Sequence, residues 1–224
     1  MVILQLETST KVCSAAWSLD GITRRQLVNL SDGQHARELP LFIENLLAEI
    51  RANGMPLDAV AIGAGPGSYT GLRIATATAK GLCYALNIPH IAIDTLQILA
   101  EATDNNDALV CPMIDARRME VYTALYNAEK ERVTDIEAKI IDENSFSNIL
   151  DKSKILFCGD GADKCKKFIN HPNAVFIENI VPEARWMSRL ARIKFEHGEF
   201  ENTAYYNPLY LKEYQAIKSK NKVL

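Results

Sequence analysis

Apolar segments separated by short polar turns open the chain and predict a meander of three β-strands. Residues 2–8, 12–19 and 22–30 are rich in β-branched and aromatic side chains, which fit a pleated surface. Asp20-Gly21 separates the last two segments and favours a type I′ turn, because both central residues of that turn need positive φ.

A helical repeat follows the meander. Between residues 37 and 53 the apolar side chains lie three or four positions apart, so that they share one face of an α-helix. They are Leu39, Phe42, Ile43, Leu46, Leu47 and Ile50. Pro40 is tolerated in the first turn, and Gly54 supplies a C-terminal stop. Residues 58–64 carry so little polar surface that they predict a strand covered on both faces.

A glycine-rich loop comes next, and the second half of the chain then repeats the element order of the first. After the loop at 65–73 we expect a helix at 73–87, a strand at 90–94 and a helix at 95–103. The second half predicts strands at 108–114, 119–127, 132–141 and 154–158, and helices at 142–152 and 161–169. Gly159 and Gly161 again follow the buried strand. A further apolar helix runs through Trp186, Leu190, Ile193 and Lys194.

This order predicts an α/β protein with an actin-like (ASKHA) fold, in which two similar βββαβα lobes enclose a cleft. The first lobe is expected at 1–103 and the second at 104–224, with the last helix packing back on the first lobe. A length of 224 residues and a hydrophobic fraction of 48% suit two small lobes that share a core.

The glycine-rich loop GPGSYTGLR is a candidate for anion or nucleotide binding. Its glycines relax the restriction on φ, and Ser68 or Thr70 can cap the following helix, whose free N–H groups would hold an anion. The candidate residues are Gly65, Gly67, Ser68, Thr70, Gly71 and Arg73. The loop is no P-loop, since no Gly-Lys-Ser/Thr follows, and it lacks the last glycine of GxGxxG. A tight turn without a ligand is an equal alternative.

The helix predicted after the loop is apolar on all sides. Its sheet-packing face is predicted to carry Ile74, Thr78, Gly81, Leu82 and Ala85. The opposite side carries Ala75, Thr76, Ala79, Cys83 and Leu86. Lys80 is the one charged residue between Ile74 and Leu86, so the helix is expected to be covered twice. A helix of a second protein would cover it, and the alternative is the chain's own C-terminal segment.

Charge and composition limit the classes of function. A formal net charge of -3 gives no general attraction for nucleic acid, so an RNA contact would need a local basic patch or a basic partner. The tail with Lys212, Lys218, Lys220 and Lys222 is either solvated or faces RNA. No apolar stretch approaches the roughly 20 residues that span a bilayer, and the start does not look like a signal peptide.

Metal, redox and hydrolase chemistry have little support in the sequence. The five cysteines form no CxxC pair and predict reduced, buried thiols in a cytosolic protein. The four histidines show no metal-ligand spacing, and Ser68 does not sit in GxSxG. Four carboxylates lie at predicted strand ends, where a cleft would place them or where they would merely form turns. They are Glu7, Asp94, Asp115 and Asp160.

The segment GPGSYTGLRIATATAKGL, followed by Ile88-Pro89, resembles the central signature of the TsaB (YeaZ) family within the actin-like, TsaD-related superfamily. Supporting matches are the opening LQLETST, the helix start from His35 to Pro40, DARRMEVY from Asp115, GDGA from Gly159 and NPLYL from Asn207. The resemblance covers nearly the whole chain.

What the resemblance implies is a cytoplasmic, non-catalytic subunit needed to make N6-threonylcarbamoyladenosine next to the anticodon of tRNA. Such a subunit binds the threonylcarbamoyltransferase TsaD as a heterodimer, is joined by the ATPase TsaE in a ternary complex, and forms a homodimer when alone. It meets tRNA indirectly and no membrane. ATP and metal are expected on the partner subunits, with no catalytic residue, metal or cofactor on this chain.

The resemblance also implies how the partner docks and why this chain is inactive alone. Docking would use the helices at 37–53 and 73–87, through Leu41, Asn45, Ala48, Ala75, Thr76, Ala79, Lys80 and Cys83. TsaD-like chains carry a His-x-x-x-His metal motif whose two positions are Thr95 and Leu99 here. A sugar kinase or ATPase and a metallopeptidase are alternatives that rest on the fold alone.

Overall fold

Two five-stranded mixed sheets form the two lobes, in a computed structural model that describes residues 1–31, 33–104 and 107–212. The first sheet contains β1 (Val2–Glu7), β2 (Cys13–Leu19), β3 (Ile22–Asn29), β4 (Ala59–Gly63) and β5 (His90–Ile93). The second contains β6 (Leu109–Asp115), β7 (Glu120–Thr123), β8 (Glu137–Ile140), β9 (Ile155–Cys158) and β10 (Ala174–Phe176).

The helices differ in length between the lobes. The first lobe carries α1 (His35–Ala52), α2 (Tyr69–Leu86) and α3 (Thr95–Glu101). The remaining helices are α4 (Ser147–Leu150), α5 (Ala162–Cys165) and α6 (Ser188–Glu196), with a 3₁₀ turn at Ala184–Met187. Of all helices in the described ranges, none is both long and apolar enough to cross a bilayer.

The two sheets have the same topology. The first has the order β3-β2-β1-β4-β5 and the second has β8-β7-β6-β9-β10. In both, the first three strands pair antiparallel, and the central strand pairs in parallel with the fourth, which pairs in parallel with the fifth. The predicted α/β, actin-like fold with two similar lobes is therefore confirmed.

Each lobe is completed by a helix that also contacts the other part of the chain. Leu4 and Leu6 of β1 face α1 and α2, whereas Ile3 faces the opposite side, where it packs with Leu190 of α6. This alternation explains why β1 is buried on both faces. Leu99 of α3 packs in turn among residues of the second sheet. The segment from the 3₁₀ turn through α6, residues 184–196, thus packs on the first sheet. The division at 103/104 remains a prediction about chain order.

Helix starts in the first lobe fall earlier than predicted. The first helix begins at His35 rather than at residue 37, and the second begins at Tyr69 rather than at residue 73. In the second case Ser68 is the N-cap, so the glycine-rich loop is half helical. Gly71 thus belongs to the first turn of α2.

Several predictions for the second lobe are wrong. The helices expected at 142–152 and 161–169 are single turns, the strand expected at 132–141 forms at Glu137–Ile140, and β10 was missed. Asp142 explains part of this, because its side chain accepts from Asn144 N at 3.1 Å and from the Ser145 hydroxyl at 2.8 Å. Such local bonds compete with helix formation.

All five cysteines are buried and free, as predicted. Burial raises the pKa of the Cys83 and Cys165 thiols to about 11 and that of Cys13 to about 12. Protonated thiols without access to solvent are poor nucleophiles, so they serve the protein as small apolar side chains.

Candidate docking face and inter-lobe cleft

The orientation of α2 on the sheet is the reverse of the predicted one. Ala75, Ala79 and Cys83 are buried in the core that α1 and α2 share with the first sheet, and Thr76 is buried as well. The prediction that these four side chains bind a partner is therefore corrected: they face the chain's own fold. Alanines let α2 approach β4 closely, and small residues on both sides of the helix gave the pattern no preferred face.

The outward side of α2 lacks acidic groups and is lined mostly by small side chains. Ala77, Gly81 and Ala85 are exposed, and a Cβ on Gly81 would meet nothing within 4 Å. Tyr84, 88% exposed, lies on the same side. Sequence reasoning missed Ala77 and Tyr84, although their spacing from Gly81 places all three on one helical face.

Helix α1 lies beside α2 on the same sheet and adds three exposed residues, which are those predicted. Leu41 is 48% exposed, and Asn45 and Ala48 follow it on successive turns. Asn45 donates to the Leu41 carbonyl at 2.7 Å, so its amide is partly occupied within the helix. We call the exposed surface of the two helices the docking face. Its members are Leu41, Asn45, Ala48, Ala77, Gly81, Tyr84 and Ala85.

Gly67 and Gly71 allow the first β-turn to pack directly on the glycine-rich loop. A Cβ on Gly67 would lie 2.3 Å from the carbonyl oxygen of Ser9, and one on Gly71 would lie 1.8 Å from that of Thr8. The Thr8 hydroxyl donates to the Gly71 carbonyl at 2.7 Å and closes this contact. The glycines are therefore required by a close approach of backbone to backbone.

Of the two predicted caps, Ser68 or Thr70, it is Ser68 that caps α2, since its hydroxyl accepts from Gly71 N at 3.3 Å. Thr70 is exposed in the first turn, and Arg73 donates to the Tyr69 hydroxyl at 2.8 Å. The Arg73 guanidinium also lies over the ring of Tyr69, with its Cζ 5.3 Å from the ring centroid.

Backbone groups of the loop are already bonded to protein acceptors. Gly65 N donates to the Thr95 hydroxyl at 3.1 Å, Ser68 N donates to the Ser9 carbonyl at 2.6 Å, and Gly71 N is taken by the cap. These three amides do not point at a free anion site. Anion binding by this loop stays a prediction, and the contacts favour the turn that launches α2.

The chain's own C-terminal segment, residues 200–212, covers one flank of α2. Lys80 donates to the Ala204 carbonyl at 3.2 Å, and the rings of Tyr69 and Tyr210 lie 4.9 Å apart. The alternative of coverage by the C-terminal segment therefore applies to this flank, while the docking face stays exposed. Lys212 forms an ion pair with Glu120, and residues 218, 220 and 222 lie outside the described residues.

His90 is buried under the same segment without a hydrogen bond to either ring nitrogen. The ring of Tyr206 packs edge-on against it at 4.7 Å, and Glu201 N donates to its carbonyl at 2.8 Å. Burial lowers the pKa of the imidazole from 6.5 to about 4.

Below pH 6.5 His90 is therefore protonated in the unfolded chain but stays neutral in the folded chain. The free energy of unfolding consequently falls as the pH falls toward 4. The variant His90→Phe keeps an aromatic ring but cannot take up a proton. When the pH is lowered from 7.5 to 5, we expect its free energy of unfolding to rise by about 2 kcal/mol relative to that of the wild type. Urea unfolding of both proteins at the two pH values measures this difference. An identical pH response in both would show that His90 does not titrate in this window.

Thr95 and Leu99, the two positions that the resemblance matched to a metal motif, lie at the start of α3 and within it. Both are fully buried. Thr95 N donates to the Gly65 carbonyl at 2.9 Å, and Leu99 reaches within 3.2 Å of where a Cβ on Gly159 would stand. Their side chains are committed to packing between strand ends.

The four carboxylates do lie at strand ends, and each is engaged by a protein group. Glu7 accepts from Ser9 N at 2.6 Å, and Asp94 is bonded by Leu96 N and by the Tyr126 hydroxyl of the second lobe. Asp115 pairs with a lysine, and Asp160 accepts from Asp115 N at 3.0 Å. Burial raises the pKa of Asp94 and of Asp160. The bonds from backbone N–H groups stabilise turns, and the bond from Tyr126 to Asp94 joins the two lobes.

Among the residues that the structure describes, no three His, Cys, Asp or Glu side chains come together as a metal site. His35 instead holds the start of α1 against the first turn, with Nε2 2.9 Å from the Thr10 carbonyl oxygen.

Comparison with known families points to one group of proteins. The model of the family described as TsaD, tRNA N6-adenosine threonylcarbamoyltransferase, matches residues 29–184. A protein of Haemophilus influenzae named tRNA threonylcarbamoyladenosine biosynthesis protein TsaB is 29% identical over 223 residues, which is 95% of this chain and 94% of that protein. The protein of the same name in Bacillus subtilis is 35% identical over 127 residues, 56% of this chain and 55% of its own length.

Solved structures give the same result. A Pseudomonas aeruginosa protein described as similar to peptidase YEAZ superposes with a TM-score of 0.82 at 28% identity, covering 94% of this chain and 99% of its own. A structure described as YeaZ from the same organism superposes with a TM-score of 0.80 at 29% identity, with the same coverage.

Proposed function

The chain belongs to the TsaB (YeaZ) branch of the TsaD-related family of tRNA threonylcarbamoyladenosine biosynthesis proteins, and from that premise we propose that it is a non-catalytic subunit which binds and supports TsaD. In this proposal TsaE joins the two in a ternary complex, and the chain forms a homodimer when alone. ATP and metal are bound by the partner subunits, tRNA is met through the partner, and the complex works in the cytoplasm.

The observation that carries the proposal is the docking face. Its centre is made of Ala77, Gly81 and Ala85 on α2, and Leu41 on α1 stands beside them, all exposed. The small, uncharged side chains at the centre of this face let the helix of another protein approach closely, since packed helices lie about 8–10 Å apart. The same face on a second copy would serve a homodimer by two-fold symmetry.

Support for a non-catalytic role comes from the two positions that the resemblance matches to the metal motif of TsaD-like chains. Thr95 and Leu99 replace the paired histidines implied for TsaD-like chains. Both side chains are fully buried, and the Thr95 hydroxyl accepts from Gly65 N. The proposal is tested by reconstitution of the modification with TsaD, TsaE and unmodified tRNA, with and without this chain. Full product formation without the chain would refute a supporting role, and product from the chain alone would refute the assignment as non-catalytic.

The docking face makes a separate prediction. Ala77→Arg places a long cation at the centre of this face without touching the core, and we expect it to weaken the complex with TsaD at least tenfold, about 1.4 kcal/mol. Titration calorimetry or co-purification measures the loss, and circular dichroism checks that the fold is kept.

Ala138→Arg, on the exposed edge strand of the second lobe, is the matched control and should bind TsaD normally. Ala79→Arg is unsuitable, because Ala79 is fully buried and the variant would disrupt the core. Normal binding by Ala77→Arg would mean that TsaD docks elsewhere.

A further inference from the structure

The loop between β6 and β7 carries two consecutive arginines in an unusual backbone conformation. Arg117 has φ 70° and Arg118 has φ 54°, in the left-handed region that side chains with a Cβ rarely adopt. Both residues are exposed at the tip of the hairpin. Glycine or asparagine would fill these positions with less strain, so the fold itself does not call for arginine here.

A half-buried lysine, Lys164, holds this loop in place. Lys164 of α5 donates to the carbonyls of Arg118 and Glu120 at 2.8 and 2.7 Å and pairs with the Asp115 carboxylate. Asp115 also accepts from Arg117 N at 2.8 Å. The backbone of the loop is therefore fixed before any ligand arrives, and its guanidinium groups project from a rigid support.

The charges around the loop leave the two guanidinium groups available. Asp115 is taken by Lys164, and Glu120 is taken by Lys212. None of the ion pairs in the described part of the chain involves Arg117 or Arg118.

Further cations face the same region. Lys11, from the turn after β1, acts electrostatically on Asp115 and Asp160. The ammonium of Lys212 lies over the half-buried ring of Tyr122, 5.7 Å from its centroid. Cations outnumber carboxylates here, in a protein whose formal net charge is -3. The excess is local and suits a polyanion.

We propose that Arg117 and Arg118 bind backbone phosphates of tRNA, so that this chain touches the RNA directly at the β6–β7 loop. Guanidinium groups bind phosphate oxygens in a bidentate manner. The inference rests on the proposed function, which brings tRNA to the complex. It departs from that proposal at one point, because tRNA would then be met by this chain as well as through the partner.

The test uses the assembled complex with TsaD and TsaE and an unmodified tRNA transcript, with affinity measured over a series of salt concentrations. The double variant Arg117→Asn/Arg118→Gly removes both charges and places residues that tolerate positive φ, so its melting temperature should be unchanged or higher. We expect about tenfold weaker tRNA binding at low salt. The slope of log affinity against log salt should fall in magnitude by about 1 to 2.

Two controls make the result specific. Lys152→Gln/Lys154→Gln removes the same charge from an exposed stretch of the second lobe and should keep the wild-type slope. Arg117→Lys/Arg118→Lys keeps the charge and should recover most of the salt dependence. The inference is overturned if the first variant binds tRNA like the wild type, if the Lys152 and Lys154 variant loses as much affinity, or if the loop variant fails to assemble with TsaD. Failure of the proposed function is a different result, because the wild-type chain would then leave product formation unchanged.

Discussion

Replacing Gly71 by alanine is expected to lower the free energy of unfolding by more than about 4 kcal/mol, whereas the same change at Gly81, ten residues along α2, raises it by about 1 kcal/mol. At Gly71 the new Cβ would stand 1.8 Å from the backbone carbonyl oxygen of Thr8, and backbone cannot rotate aside as a side chain does. At Gly81 the new Cβ meets nothing within 4 Å, so the gain in helix propensity is undiminished.

Chemical denaturation of the two variants and the wild type measures both effects. The pair is informative because the substitution, the helix and the added methyl group are the same, and only the surroundings differ. If Gly71→Ala unfolded at the wild-type midpoint, the turn after β1 would not be packed tightly against the glycine-rich loop. The measurement is made at a protein concentration low enough to dissociate the proposed homodimer. Loss of stability in Gly81→Ala under these conditions would mean that the outer side of α2 is covered within the single chain.

We expect Glu7→Gln to remove a pH dependence worth about 2.5 kcal/mol between pH 5 and pH 8. Glu7 is fully buried at the end of β1, and one of its carboxyl oxygens has no hydrogen-bond partner. Burial raises the pKa of this carboxyl from 4.5 to about 7. A Cβ on Gly63 would lie 2.0 Å from the same oxygen, so the carboxyl fills the space beside that glycine.

The sign follows from which state holds the proton. Below pH 4.5 both states are protonated at Glu7 and the residue contributes no pH dependence. As the pH rises toward 7 the unfolded chain ionises while the folded chain keeps its proton, so stability falls and the full penalty is present above pH 7. The glutamine variant stays neutral throughout.

Unfolding free energies of wild type and Glu7→Gln at pH 5, 6, 7 and 8 give the comparison. The stability difference between them should move in favour of the variant as pH rises, whatever constant cost the amide introduces. Parallel curves would mean that Glu7 is already ionised in the folded protein. His90 acts in the opposite direction over an overlapping range, from its usual pKa of 6.5 down to about 4. The two effects therefore partly cancel in the wild type, and comparison of each variant with the wild type separates them.

The elements of the first lobe were predictable from local pattern. The apolar positions of α1 recur at helical spacing, and β4 is apolar throughout because both of its faces are covered. The cap at Ser68 was also predictable, since a serine before a helix satisfies free N–H groups by a bond within four residues. These features depend on neighbours along the chain.

Features that depend on distant contacts were not predictable in the same way. Helix α2 has small residues on both sides, so its inward face is decided by the fit of Ala75 and Ala79 against the sheet. Three-residue β10 and the single-turn helices α4 and α5 are stabilised by packing on the second sheet, because such short elements have little stability alone. Sequence therefore could not separate exposed residues from core residues on α2.

The glycine-rich loop divides in the same manner. Its glycines and its serine cap follow from the sequence, as do the two-lobed actin-like fold, the family and the tRNA modification to which that family is dedicated. Tertiary structure decided that Gly67 and Gly71 admit the backbone of the first turn, that Ala77 and Gly81 face outward, and that Lys164 holds two arginines in left-handed conformations. The physical reason is range. Periodicity and capping act over a few residues, whereas close approach, burial and charge pairing depend on groups brought together from opposite parts of the chain.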